Sequence, residues 1–252
     1  MSRPPFNQLF LVNRGDADYF TQRCLESIIL LPSIMQEADD LDALTSVSPE
    51  EKRDGKIKAT RLLQLALNLD HSLSAWLGEA QESFAPPTES GTVTLQTQPP
   101  IDFAPRRLDY RSSDASDVWV LYWSMSIYIH ELIGQIQARH TAFSGDLPAD
   151  DPLPPEEAGT RKERAMLNKY AENICGTIFS GLRSCPFTVH GTVIAIFTAQ
   201  WYYKRRGERD KLRWCIEALR LLQPERIARG DKENDRPEWC SVVFSKVALE
   251  EE

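Results

Sequence analysis

Residues 114–136 read DASDVWVLYWSMSIYIHELIGQI, and this stretch decides the fold class. Its apolar side chains recur at alternating spacings of four and three residues, which places them on one face of an α-helix. That face consists of Val118, Tyr122, Met125, Ile129, Leu132 and Ile136. Trp119 and Trp123 fall on a neighbouring face. We therefore expect a helix that is buried around most of its circumference.

The same period appears on both sides of this helix. Apolar residues from about Asp18 to Glu37 form one stripe, in which Pro32 should kink or break the helix because proline lacks a backbone N–H. Ser48-Pro49-Glu50-Glu51 is a capping box with proline at the first helical position, and the helix that it starts should end near Phe84. Its predicted apolar face is Leu62, Leu65, Leu69, Leu73 and Trp76.

Three further helices are predicted towards the C-terminus. They begin at about Glu156, Thr188 and Glu208. The second ends at Arg206 before Gly207, and the third ends at about Leu222. Strand patterns do not alternate with these helices, which argues against a Rossmann or barrel enzyme. The prediction is an all-α protein, with one irregular helical domain of about six to eight helices over residues 1–252.

Two proline-rich segments interrupt the helices, at about 85–113 and 141–158. We expect both to be loops, with at most a short extended segment at Thr92–Thr97. The first is either a binding loop or lid, or a plain surface crossover, and the second interpretation is favoured. The tail at about 231–252 is charged, and Ser241–Leu249 is ambiguous between strand and helix.

Composition and charge exclude several classes. The chain has 252 residues, with 29 Lys and Arg against 37 Asp and Glu, a net charge of −8. This balance argues against general attraction to nucleic acid and excludes a histone-like protein. No secretory signal or membrane-spanning run is apparent, so we expect an intracellular protein. The five cysteines form no C-x-x-C and are expected to be mostly reduced, buried thiols.

The known catalytic and metal-binding motifs are incomplete or absent in this sequence. His130-Glu131 begins like the zinc-protease H-E-x-x-H, but Gly134 occupies the second histidine position. The chain carries no G-x-S-x-G elbow and no phosphate-binding glycine loop. Cys185 before Pro186 has no nearby base. The sequence therefore predicts no enzyme and assigns no catalytic, cofactor-binding or metal-ligating residue.

A basic cluster runs from Lys204 to Lys211. It is either a nuclear-import or phosphate-contacting patch, or a cationic helix terminus with interspersed acids, and the second interpretation is favoured.

The order of several short motifs resembles a known family. CLESIILLPSIMQEADDL at 24–41 precedes a helix with Leu73-Ser-Ala-Trp76. There follow VLYW at 120–123, AENIC at 171–175, an apolar helix ending in RRGER at 205–209, and Arg213-Trp-Cys215. In this order they resemble the C-terminal, non-DNA-binding half of fungal binuclear zinc cluster transcription factors. The family's six-cysteine zinc cluster is absent from this sequence, so we assign DNA binding or zinc binding to none of its residues.

The resemblance implies a regulatory helical domain in the nucleus that acts through protein partners, such as the transcription machinery, or through a small effector. We expect no direct nucleic-acid binding by this chain and no membrane association. The alternative is a small-molecule-binding protein or enzyme of a fungal biosynthetic pathway. Its candidate apolar pocket would be lined by Trp119, Trp123, His130 and Trp201.

Overall fold

The computed structural model describes residues 15–42, 48–95, 100–144, 158–181 and 188–228. Within these ranges the chain forms seven α-helices and one pair of strands. The helices are α1 (Gly15–Ser27), α2 (Leu31–Asp42), α3 (Pro49–Ser83), α4 (Ser113–Ser144), α5 (Ala158–Gly181), α6 (Thr188–Arg206) and α7 (Arg209–Ala228). The prediction of an all-α fold with six to eight helices is confirmed.

The predicted stripe from 18 to 37 is divided between α1 and α2. The break lies at residues 28–30, where the amide of Leu31 donates to the carbonyl of Ile28 at 2.8 Å. Pro32 then falls in the first turn of α2. Backbone N–H groups in the first turn of a helix have no carbonyl partner within the helix, so the lack of an N–H at Pro32 costs no helical hydrogen bond. The break that the sequence predicts is therefore present, just before the proline.

The capping box at the start of α3 is confirmed atom by atom. The Glu51 amide donates to Ser48 Oγ at 3.3 Å, and the Ser48 amide donates to Glu51 Oε2 at 2.7 Å. The helix then runs 35 residues and is capped at Phe84, as predicted. Of its predicted apolar face only Leu65 is not fully buried.

The prediction for residues 85–113 is partly wrong. Two strands lie in this segment: β1 (Thr88–Thr92) pairs antiparallel with β2 (Arg106–Asp109). Of the predicted extended segment at 92–97, Thr92 is the end of β1, residues 93–95 are not in a strand, and residues 96 and 97 fall outside the described residues. The register shifts between Glu89 and Thr92, where Gly91 has a φ of 82°, a conformation that favours glycine. Strand β1 is polar and exposed, so no apolar alternation in the sequence reveals it.

This hairpin is also more than a surface crossover. Leu108 on β2 and Val93 and Leu95 after β1 are buried in the hydrophobic core. Strand β2 packs on α5, where a Cβ added to Gly176 would lie 2.0 Å from the carbonyl oxygen of Arg106. The absence of a side chain at Gly176 is therefore what lets the strand approach the helix.

Helix α4 divides the interior into two hydrophobic clusters. One face, with Val118, Met125 and Ile129, packs against α1, α2 and α3. Trp123 and Ile127 belong to the other cluster, which α5, α6, α7 and the hairpin complete. The expectation that this helix is buried around most of its circumference is confirmed.

The C-terminal helices follow their predicted starts closely. Helix α6 ends at Arg206, and Gly207 with a φ of 69° terminates it as predicted. Helix α7 continues to Ala228, six residues past the predicted end. Residues 141–144, which were predicted to be loop, belong to α4. The predictions for residues 145–157, for Cys185-Pro186, for Cys240 and for the tail at 231–252 fall outside the described residues.

Candidate functional site

A charged triad lies where α3 and α5 flank α4. His130 of α4 stands between two carboxylates that belong to the two neighbouring helices. Its Nε2 lies 3.3 Å from Asp70 Oδ1 on α3, and its Nδ1 lies 2.7 Å from Glu163 Oε1 on α5. The side chain of His130 is 18% exposed, so the triad lies at the edge of the core rather than inside it.

The two carboxylates determine the charge of the ring. Burial lowers the pKa of His130, but the hydrogen bonds and charges of Asp70 and Glu163 raise it more, and the net effect is a pKa above the ordinary value. When it is protonated, the ring donates from both nitrogens to these carboxylates. A histidine that acts as a general base needs one nitrogen free to face a substrate, and here each nitrogen faces a carboxylate. The arrangement is therefore suited to joining helices by charge.

Two tyrosines continue this polar seam along the same helices. The hydroxyls of Tyr122 on α4 and Tyr170 on α5 lie 3.3 Å apart, and their rings meet edge to face at 5.7 Å. Burial raises the pKa of Tyr170, with smaller contributions from Tyr122 and from the charge of Asp70. The Tyr170 phenol consequently remains neutral at physiological pH.

A second charged group follows His130 directly along α4. The Glu131 side chain is 7% exposed and pairs with two cations of the C-terminal turn of α6. Arg205 Nε lies 3.3 Å from Oε2, and Arg206 donates a hydrogen bond to Oε1. The Arg206 guanidinium also lies 5.4 Å from the centre of the Tyr202 ring. Burial lowers the pKa of Arg206, but the charge and hydrogen bond of Glu131 raise it by more, so the net effect is a raised pKa and this cation stays charged.

These contacts bear on the basic cluster at 204–211. Besides the two arginines on Glu131, Lys211 lies 3.2 Å from Glu172 Oε1 on α5. Its ammonium also lies over the Phe103 and Tyr203 rings, at 5.7 and 5.4 Å. Three cations of the cluster are thus paired with acids of other helices. This pairing favours the interpretation as a helix terminus, and the nuclear-import patch stays a prediction.

The four residues predicted to line an apolar pocket have different surroundings. Trp119 and Trp123 are buried side by side, with ring centroids 5.7 Å apart, and Trp119 Nε1 donates to the carbonyl of Ala85 at 3.2 Å. Trp201 is half-buried against the same hydrophobic cluster, with Tyr128 at 5.2 Å and Arg205 at 5.1 Å from its ring. His130 is held by its carboxylates. The structure brings the first two together, and a pocket shared by all four stays a prediction.

Two cysteine thiols lie next to each other in the hydrophobic core. Cys175 of α5 and Cys215 of α7 are fully buried with their sulfurs 3.7 Å apart. The buried hydroxyl of Tyr203 lies close enough to Cys175 to interact with its thiol. Burial raises the pKa of Cys175 well above its usual value and that of Cys24, in the other cluster, to about 12. Such thiols are protonated and poorly nucleophilic.

Sequence reasoning missed the two partners of His130. Asp70 follows Leu69 directly, so an acid borders the predicted buried stripe, and this position is a weak signal that it lies beside another helix. Glu163 is one of several charged residues in the first turns of α5, and nothing in the sequence separates it from the others. Their meeting depends on how α3 and α5 pack on α4.

Neither a metal-binding cluster nor a helix that could span a membrane is present among the described residues. No group of three or more His, Cys, Asp or Glu side chains in these ranges could hold a metal ion. None of the described helices is long and apolar enough to cross a membrane. Comparison of the chain with protein-family models, with curated proteins and with solved structures gives no match.

Proposed function

We propose that this chain is a regulatory helical domain, related to those of transcription regulators, that acts in the nucleus through contacts with protein partners and performs no catalysis of its own. The motifs that carry the family resemblance supply the first support, since they occur in the family's order from α1 to α7. The polar groups of the described core supply the second. His130 and Glu131 are occupied by other helices of the same chain, which suits a scaffold better than a reactive centre.

The observation that carries the proposal is the turn between α1 and α2. Ile29 and Leu30 are 72% and 52% exposed, while the adjacent Ile28 and Leu31 are buried. The turn is held in place by its own backbone hydrogen bonds, including one from the Ile34 amide to the Leu30 carbonyl at 3.0 Å. Two adjacent apolar side chains are therefore presented to solvent on a fixed support, inside the segment 24–41 that begins the resemblance. Apolar anchors on a preorganised support are typical of protein-binding surfaces.

A tethering experiment tests the proposal. The full chain is fused to a foreign DNA-binding module, and transcription from a reporter that carries the module's site is measured together with the location of the untethered chain. We expect the unfused chain to accumulate in the nucleus and the fusion to change reporter output. The double variant Ile29→Ser/Leu30→Ser should remove most of that change.

Ile57→Ser is the matched control, because Ile57 on α3 is exposed to a similar degree. Thermal unfolding of each variant checks that the fold is kept. If tethering leaves transcription unchanged, or the chain stays in the cytosol, the proposed function is wrong. If Ile57→Ser reduces output as strongly as the double variant, the turn is not the contact surface.

A further inference from the structure

The triad at His130 connects two helices that each pack on α4. Asp70 lies on α3 and Glu163 lies on α5, and both helices contact α4. His130 is the residue through which these two carboxylates are linked. The charge of the His130 side chain therefore affects how both α3 and α5 pack against α4.

The two charge states of the imidazole have opposite effects on this contact. A protonated ring donates N–H groups to both carboxylates, and hydrogen bonds between ionised partners are among the strongest in proteins. A neutral ring has one N–H only, so the other nitrogen turns a lone pair towards a carboxylate oxygen. Because the ring is mostly shielded from water, the surrounding solvent compensates little of that repulsion.

The other charged and titratable groups near the triad are already engaged. Tyr170 of α5 bonds to Tyr122 of α4 and senses the charge of Asp70. Glu131, next to His130 on α4, is bound by Arg205 and Arg206 of α6. The carboxylates that face the imidazole directly are Asp70 from α3 and Glu163 from α5.

We propose that the Asp70–His130–Glu163 triad is a proton-operated clasp, in which the charged imidazole holds the N-terminal half of α5 against α4 and α3, and loss of its proton loosens that half. This device is independent of the proposed regulatory function.

The sign of the pH dependence follows from linkage. The pKa of His130 is raised in the folded chain above its ordinary value of 6.5. The stabilisation is therefore fully present below about pH 6.5 and is lost as the pH rises through the higher folded pKa. Loosening is expected as the pH rises above the folded pKa of His130, which is higher than 6.5.

Hydrogen exchange of the full chain, followed by mass spectrometry, tests the clasp. Protection of peptides that cover 161–170 is measured at about pH 6 and about pH 9, with exchange times corrected for the intrinsic pH dependence of amide exchange. We expect protection to fall by about tenfold between the two conditions, which corresponds to about 1.4 kcal/mol. Peptides from the middle of α3 should change less, because the long helix has many other contacts in its cluster.

Three variants complete the test. His130→Gln should show low protection of 161–170 at both pH values and no fall between them. His71→Gln removes an exposed histidine of α3 and should behave like the unmodified chain. Glu163→Gln removes one carboxylate from a side chain that is itself part-exposed, so it should fold and should shift the loss of protection to lower pH.

The proposal is overturned if protection of 161–170 does not change between the two conditions. It is also overturned if His130→Gln, shown to be folded by circular dichroism, keeps the same fall. Should His130→Gln fail to fold, Glu163→Gln decides: an unshifted transition refutes the clasp.

Discussion

Replacing Gly176 by alanine should separate the hairpin from α5. The added Cβ would lie 2.0 Å from the carbonyl oxygen of Arg106 and 3.2 Å from its carbonyl carbon. Both are backbone atoms, so no side-chain rotation can relieve the overlap. An ordinary contact needs about 3.4 Å or more, and either β2 or α5 must move by more than about 1 Å, in a core that tolerates little overpacking.

The expected loss of stability can be worked out from the contacts that β2 and the residue after it make with the rest of the chain. Burial of Leu108, which is 2% exposed, stabilises by about 1.5–3 kcal/mol. The 2.7 Å hydrogen bond between Tyr110 and Thr177 adds about 1 kcal/mol. Alanine is the better helix former by about 1 kcal/mol, which offsets part of the loss. We expect a net destabilisation of about 2 kcal/mol, or about 4–8 °C in the melting temperature of a chain this long.

Urea unfolding followed by circular dichroism measures this change, with Gly134→Ala as the matched control. Gly134 is also inside a helix, but nothing lies within 4 Å of its added Cβ. That substitution should therefore stabilise the chain by about 0.5–1 kcal/mol. If Gly176→Ala is as stable as Gly134→Ala, the close contact of β2 with α5 does not exist in solution and the reasoning fails.

The remaining predictions concern a buried carboxylate, a helix cap and the core thiols. Glu131→Gln should lower the free energy of unfolding by about 1–3 kcal/mol, because the two arginines lose their counter-charge. Urea titration at low and high salt measures this change, and an unchanged free energy of unfolding would contradict the pairing. Ser48→Ala should cost about 1 kcal/mol by removing the α3 cap, and an effect below about 0.3 kcal/mol would show that the cap is not formed. Alkylation of the native chain at about pH 8, followed by peptide mapping, should modify Cys24, Cys175 and Cys215 on the order of a hundredfold more slowly than after unfolding. Fast labelling of any of the three would show that its burial is wrong.

The helices could be predicted because their signals are local. The capping box at Ser48 and the stop at Gly207 each lie within a few residues of the boundary that they set. The 4-3-4 spacing in α4 likewise predicts its buried face from one stretch of chain. In such cases the period of the backbone and the position of apolar side chains are enough.

The hairpin and the charged triad could not be predicted because their signals are spread along the chain. Strand β1 is polar throughout, and its pairing with β2 spans a segment with several prolines. Asp70 and Glu163 are 93 positions apart in the sequence and meet only at His130. The two thiols at Cys175 and Cys215 show the same limit, since their proximity depends on how α5 and α7 pack.

The two-sided burial of α4 has a consequence for shortened versions of this protein. A fragment that ends after α4 would keep its contacts with α1–α3 but would leave Trp119, Trp123 and Ile127 facing water. A fragment that begins with α4 would keep its contacts with α5–α7 but would expose Val118 and Met125. Neither fragment can cover both faces of α4 alone, so each should self-associate in solution rather than remain monomeric.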